Sequence, residues 1–412
     1  MLAIRNINEL LIVPPGPVPG RAMRHIETLR SAAVLLDDER IAWFGPDADC
    51  DPPAGCPTLD AAGGCVLPGL IDCHTHTVFA GARADEFVRR LEGATYAQIA
   101  EAGGGIRRTV EAVRAATGDG LVALAQPRIQ RMLANGVTTL EIKSGYGLNV
   151  DDELKMLLAI RRLQAHTPVE LVATYLAAHT TPRERAGRAD EYLDTVLAPA
   201  VLARIRDERL AEFCDVFCER TAFTVEQARR VLTTARQYGL IPRLHADQIT
   251  QMGASALAAE VGALSADHLE TIDDGGIDAL KRAGTVPVLL PGCSFFLGVE
   301  QAPARRLLEA DLPVALATDH NPGSCMIESL PLVMGIACTQ MRLTPTEVVV
   351  AATANAAAAL NRRHQVGAIA VGMQADLVVL DVPDHQSWMY ELGRNCVRSV
   401  VKKGKVVVGL TW

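Results

Sequence analysis

Between residues 66 and about 360, short apolar runs alternate with amphipathic stretches. The runs are Val66–Cys73, Thr138–Ser144, Glu170–Ala178, Phe213–Glu219, Pro242–Ala246, Leu264–His268, Thr285–Pro291 and Pro313–Thr318. Asp151–Ala165, Thr224–Tyr238, Gly275–Ala283 and Ala302–Ala310 carry the helical pattern between them, and Asp151 and Asp152 suit a helix N-terminus. Thr344 and Pro345 supply an N-cap and first-turn proline for a further helix through Leu360. Eight strands alternating with helices predict an α/β fold whose parallel sheet closes as a (β/α)8 TIM-type barrel. An open doubly wound sheet is the alternative. Polar residues recur where the runs end, and that favours the barrel, which places catalytic groups at the C-terminal ends of its strands.

The flanks read differently. Met1–Ala62 holds strand-like pieces at Leu10–Val13, Ala33–Leu36 and Ile41–Phe44, split by Pro and Gly. Ala375–Asp381 and Val397–Gly409 are strand-like at the other end. Neither flank is large enough to fold alone. We therefore expect one β-rich composite domain from residues 1–62 and 366–412, with the barrel, residues 63–365, inserted between its halves.

The first run ends in Asp72-Cys73-His74-Thr75-His76. On a strand, residues i and i+2 share a face, so both imidazoles can reach one point. His245 ends the fifth run and Asp319 follows the eighth. Three neutral imidazoles and a carboxylate suit Zn²⁺ or Fe²⁺ rather than Ca²⁺ or Mg²⁺. Alone, His245 would read as a satisfied core histidine; beside the other three it reads as a ligand. His268 ends the sixth run and either packs behind the ligands or touches the attacking water. His179 follows the third run, where it can face the barrel mouth and touch substrate.

The net charge of −8 argues against nucleic acid as a partner. It also requires a local cation for any anionic substrate. Ten cysteines are present, with no C-x-x-C pair, and they read as reduced core thiols. Cys73 faces away from both histidines on a strand and reads as packing. Met1–Val13 is interrupted by Arg5 and Glu9 and lacks a secretory apolar stretch. No run approaches the roughly 18 apolar residues of a membrane span, so a cytoplasmic location without membrane contact is expected.

This constellation resembles the amidohydrolase superfamily, a metal-dependent barrel with His-X-His on strand one, His on strands five and six, and Asp on strand eight. Many binuclear members also use a modified Lys on strand four. Phe213–Glu219 contains no Lys, and Lys143 lies on the second run, so the resemblance implies one metal ion. Within the superfamily, five segments resemble the imidazolonepropionase family. They are Asp72–Gly81, Gly103–Ile106, Ile142–Leu148, Ser265–His268 and Ala317–Ser324.

That resemblance implies hydrolysis of the ring amide of imidazolone propanoate in histidine degradation, one zinc or iron ion, and a homodimer. It implies that Arg83 holds the propanoate two-point fashion. Tyr146 would contact the carboxylate or ring, and His179 would polarise or position the ring. Asn321, Gly323 and Ser324 would bind the ring or opened formimino group through side chains and backbone N–H. Some members carry Glu where this chain has Gln248; a neutral amide is no base, so Gln248 is expected to hydrogen-bond the ring while Asp319 and His268 handle the proton. A deaminating relative would share the metal set but not Arg83, Tyr146 and Asn321. A non-catalytic assembly protein on this fold would have lost ligands, and all four stand here.

Overall fold

The computed structural model describes residues 1–94, 98 and 103–409. Its first sheet joins the two ends of the chain. β1 (Leu2–Ile12), β2 (Glu27–Asp37), β3 (Arg40–Pro46), β4 (Thr58–Asp60) and β5 (Cys65–Pro68) precede the barrel. The barrel strands are β6 (Leu70–Asp72), β7 (Val137–Lys143), β8 (Glu170–Ala178), β9 (Phe213–Val216), β10 (Ile241–Ala246), β11 (Ser265–His268), β12 (Val286–Leu289) and β13 (Ala315–Leu316). β14 (Leu377–Leu380), β15 (Val397–Lys402) and β16 (Lys405–Val408) follow.

The end sheet runs β16-β15-β14-β5-β1-β2-β3, with β4 also on β1. Ile4, Ile7, Leu10, Val34, Val66, Leu377 and Val379 form its own apolar core. The sequence reading underestimated its strands. β1 covers 11 residues where only Leu10–Val13 was expected, and Val397–Gly409 folds as a hairpin rather than one strand. Lys403 and Gly404 both take positive φ at its turn, which suits the twist of a two-residue hairpin.

The barrel strands pair in chain order, all parallel, from β6 to β13. Leu140, Ile142, Leu244 and Ala266 lie in the large apolar core the barrel shares with its helices. The alternate positions of those strands hold Glu141, Lys143, Arg243, His245 and Asp267, all buried. Barrel interiors are commonly filled by branched apolar residues, so this charged layer departs from that habit. The seam between β6 and β13 is closed just past the strand ends. Asp319 N donates to His74 O at 3.0 Å and His76 N to His320 O at 3.0 Å.

The first run proves to be two strands. Cys65–Pro68 pairs with β1 and β14 in the end sheet, and Leu70–Asp72 pairs with β7 in the barrel. The chain changes sheet at Gly69, where a Cβ would stand 2.3 Å from Thr138 Oγ1. Pro291 leaves the seventh run to open the helix Pro291–Leu297. The helix after Thr344 is broken by a π-turn at Ala351–Asn355. There Asn355 bonds Val18 N and O and Val314 O, tying the N-terminal segment to the barrel.

Thr344 and Glu347 form a capping box at the start of that helix. Buried Glu347 also accepts from Arg24 at 2.8 Å and Arg305 at 2.6 Å. Burial pushes its carboxyl up, but Arg305, the Thr344 N–H and Arg24 together pull it below its ordinary value. A depressed carboxyl stabilises the fold fully above its unfolded value and loses that contribution as pH falls through its folded value. Glu347→Gln is therefore expected to cost about 2 kcal/mol at pH 7. That deficit should shrink as the pH drops below about 4. Denaturant unfolding of both proteins at pH 7 and pH 3.5 measures it, and a deficit that does not change with pH would refute the assignment.

Candidate active site

Four side chains converge at the C-terminal mouth, across the barrel seam. His74 and His76 follow β6, His245 lies near the end of β10 and Asp319 follows β13. His74 Nε2 and His76 Nε2 each lie 3.6 Å from Asp319 Oδ1. The His245 ring stands 4.6 Å from His74 and 5.6 Å from His76. His268 stands 5.4 Å from His245. Two triads, His74–His76–Asp319 and His74–His245–His268, each bring their ligand atoms within 4.8 Å of one another, and they share His74. The geometry is that of one cluster.

His74 Nε2, His76 Nδ1 and His245 Nε2 are buried without a hydrogen-bond partner. A buried polar atom left unpaired costs about 1–3 kcal/mol. Two of these, His74 Nε2 and His245 Nε2, together with His76 Nε2 and the Asp319 carboxylate, fit a divalent cation, which takes their lone pairs. Burial, then Lys143 and the neighbouring histidines, hold His74 well below the usual imidazole range, and burial with His179 and His245 does the same for His76. Neutral rings are the form that ligates. Burial raises the Asp319 carboxyl above its ordinary value against the pull of His268 and His245. Asp319 (φ 53°), His268 (φ 81°) and Asp247 (φ 48°) all take left-handed backbone at strand ends, a strain typical of functional sites. It also explains His268: alternation would turn it opposite to Asp267, and its backbone rotates it into the mouth.

Directly behind the histidine cluster lies the charged layer. His74 Nδ1 meets Asp267 Oδ2 at 2.6 Å, and His245 Nδ1 meets Asp215 Oδ1 at 3.0 Å. Arg243 Nη2 donates to Asp267 Oδ2 at 2.9 Å and to Cys73 O at 2.7 Å. Glu141 accepts from Thr75 N at 3.0 Å, between the two ligand histidines, and from Thr174 Oγ1. Lys143 Nζ stands 2.9 Å from both Glu141 Oε1 and Asp215 Oδ2. Burial and Arg243 pull the Lys143 ammonium down, but Asp215, Glu141 and Asp267 outweigh them and raise it. Cys73 packs with Ile71, Leu290 and Ala317, its thiol toward Leu316 O at 3.8 Å and away from the imidazoles.

Arg83 is held by Glu86, Nε to Oε2 at 2.8 Å, and lies against the Asp319 loop. A Cβ on Gly323 would fall 2.5 Å from Arg83 Nη1, so only glycine lets the guanidinium sit there. Tyr146 is buried, 5.8 Å from the His76 ring and 5.5 Å from His179. Burial and Asp319 push its hydroxyl far up, while Arg83 pulls it down. His179 stacks on His76 at 5.2 Å, and burial with His245 lowers it to about 3. Its Nδ1 lies 3.0 Å from Gly145 O. A carbonyl only accepts, so Nδ1 carries the proton and the neutral ring keeps a lone pair on Nε2.

Asn321 and its neighbours are turned on one another. Asn321 Oδ1 accepts from Gly323 N and Ser324 N, both at 2.8 Å, and Asn321 Nδ2 donates to Asp319 O at 2.7 Å. Ser324 Oγ reaches Asp319 Oδ2 at 3.4 Å. The loop is a self-satisfied turn that fixes Asp319. Gln248 Nε2 contacts Cys293 Sγ at 3.9 Å. Sequence reasoning did not find Glu86, Asp215, Arg243, Asp267, Cys293 or Glu270, whose Oε1 lies 3.5 Å from His268 Nδ1. The available signal for Asp215, Arg243 and Asp267 was a charged residue inside an apolar run.

Comparison with known proteins agrees with this geometry. Residues 65–407 match the model of the amidohydrolase family. An imidazolonepropionase of Chloroflexus aggregans is 47% identical over 420 aligned residues, covering 99% of this chain and 98% of that protein. One of Geobacillus sp. is 43% identical, with 99% and 98% covered. A solved atrazine chlorohydrolase of Arthrobacter aurescens, complexed with zinc, superposes with a TM-score of 0.73 at 19% identity, covering 99% of this chain and 95% of that one. The chain belongs to the amidohydrolase family and, within it, to the imidazolonepropionases.

Proposed function

We propose that His74, His76, His245 and Asp319 hold one divalent cation, zinc or iron, and that the site opens the ring of 4-imidazolone-5-propanoate to N-formimidoyl-L-glutamate. The observation carrying this reading is the cluster of His74, His76 and His245 around Asp319, with His74 Nε2 and His245 Nε2 unpartnered and Arg83 against the loop that follows Asp319. Three imidazoles and a carboxylate suit either metal, and the zinc in the structurally similar chlorohydrolase is compatible with the first. When bound, the cation supplies Lewis acidity to the amide carbonyl and acidity to the attacking water.

The chain's own residues do the rest. Asp319 accepts the proton of the water whose oxygen bonds to the ring carbonyl carbon. His268, raised by Glu270, Asp319 and Asp267 against its burial, donates a hydrogen bond to the oxyanion that develops. His179 is unsuited to that task, because its proton is committed to Gly145 O; its Nε2 accepts from a ring N–H and sets the ring's position. The carbon–nitrogen bond then breaks, and the proton held by Asp319 passes to the leaving nitrogen. Gln248 orients the ring as a neutral donor. Arg83 fixes the propanoate, supplying the local cation that a chain of net charge −8 needs.

Incubation of the metal-loaded protein with imidazolone propanoate should yield formimidoyl-glutamate, with no ammonia released from aminated nucleobases. Deamination without ring opening would overturn the substrate assignment and leave the hydrolytic centre standing.

A further inference from the structure

Lys143 lies two positions along β7 from Glu141, fully buried beneath the ligand cluster. Its single ammonium approaches three carboxylates: Glu141 Oε1 and Asp215 Oδ2 at 2.9 Å, and Asp267 Oδ2 at 3.8 Å. Each of those carboxylates supports a ligand segment. Asp267 accepts from His74 Nδ1, Asp215 from His245 Nδ1 and the His245 backbone N–H, and Glu141 from the backbone N–H of Thr75. Arg243 backs Asp267 at 2.9 Å but stands 3.8 Å from Glu141. Lys143 reaches the supports of His74, His245 and the His74–His76 segment with ion pairs of 3.8 Å or less.

We propose that Lys143 is a positioning residue that aligns the Asp215 and Asp267 carboxylates, so that His74 and His245 are both locked with Nδ1 as donor and a bare Nε2 toward the cation. The charge count agrees. Without Lys143, three buried carboxylates would share one Arg243, and like charges this close would spread apart or take up protons. Either response rotates or unseats the imidazoles they hold. The carboxylates face Lys143 from β7, β9 and β11, and Arg243 lies among them on β10. Losing the outer partner of a ligating histidine typically costs 10–100-fold in metal affinity. The inference rests on the reading of His74, His76, His245 and Asp319 as cation ligands.

The test compares unaltered protein, Lys143→Met and the near-neutral pair Lys143→Met/Asp215→Asn, each prepared with bound metal. A chromophoric chelator measures cation affinity, and Co²⁺-loaded samples report ligand geometry in the visible spectrum. Lys143→Met should release its cation to the chelator with a 10–100-fold weaker affinity, and its Co²⁺ bands should shift. Where Lys143→Met does not fold, the pair removes the unbalanced carboxylate and should bind at least tenfold more weakly than the unaltered protein. Unchanged affinity and an unchanged Co²⁺ spectrum in a folded variant, with only thermal stability reduced, would overturn the positioning role. Absence of any bound cation in the unaltered protein would instead overturn the ligand reading beneath it.

Discussion

Asp319→Asn is expected to lower kcat by about 10³-fold or more and to release the bound cation. The size follows from two losses at one atom pair. Oδ1 faces both His74 Nε2 and His76 Nε2 at 3.6 Å, so an amide nitrogen in its place offers a donor where a ligand is needed. The amide also cannot take the water proton, and proton transfer by a positioned base is worth about 10²–10⁴-fold. The fold should survive, because the seam contact at residue 319 is made by backbone, Asp319 N to His74 O at 3.0 Å. Asn321 Nδ2 donates to the backbone carbonyl oxygen of residue 319, which the substitution keeps. Elemental analysis, near-ultraviolet circular dichroism and the ring-opening assay together check the result. A variant that keeps stoichiometric metal and kcat within tenfold of the unaltered protein would remove Asp319 from both roles.

Much of this site was readable from where polar residues punctuate apolar runs. His74, His76, His245, His268 and Asp319 all stand at or just past strand ends, and a parallel barrel brings such ends to one mouth. What lay beyond reach depended on backbone angles and on facing strands. His268 faces the cluster only because its φ is 81°, which strand alternation does not encode. Asn321 folds its amide oxygen back onto the N–H groups of Gly323 and Ser324, a turn that residue spacing does not reveal. The charged layer was hidden for another reason. Asp215, Arg243 and Asp267 interrupt largely apolar runs, and their partners lie as far as 193 residues away. The split of the first run at Gly69 depended on contacts to Thr138 and Asp376, from two different sheets.

Arg83→Ala should raise KM by about 10–100-fold while kcat falls much less, since a charge-assisted pair to a carboxylate is worth about 1.5–3 kcal/mol and lies away from the scissile bond. The guanidinium is aimed before substrate arrives: Glu86 holds Nε, and Glu86 Oε1 also accepts from Gly105 N at 3.1 Å, which anchors the support to the neighbouring loop. Arg83→Lys should recover only part of the loss, because an ammonium keeps the charge but cannot present two parallel donors while bound to Glu86. Gly323→Ala should fall between the two, since its methyl would press on Nη1 from 2.5 Å. A substrate analogue lacking the propanoate carboxylate separates anchoring from general damage. The unaltered protein should discriminate against it, and Arg83→Ala should lose that discrimination, handling both compounds with similar KM. If Arg83→Ala still prefers the carboxylate by the same factor, the anion is held elsewhere and Arg83 serves only to brace the Asp319 loop.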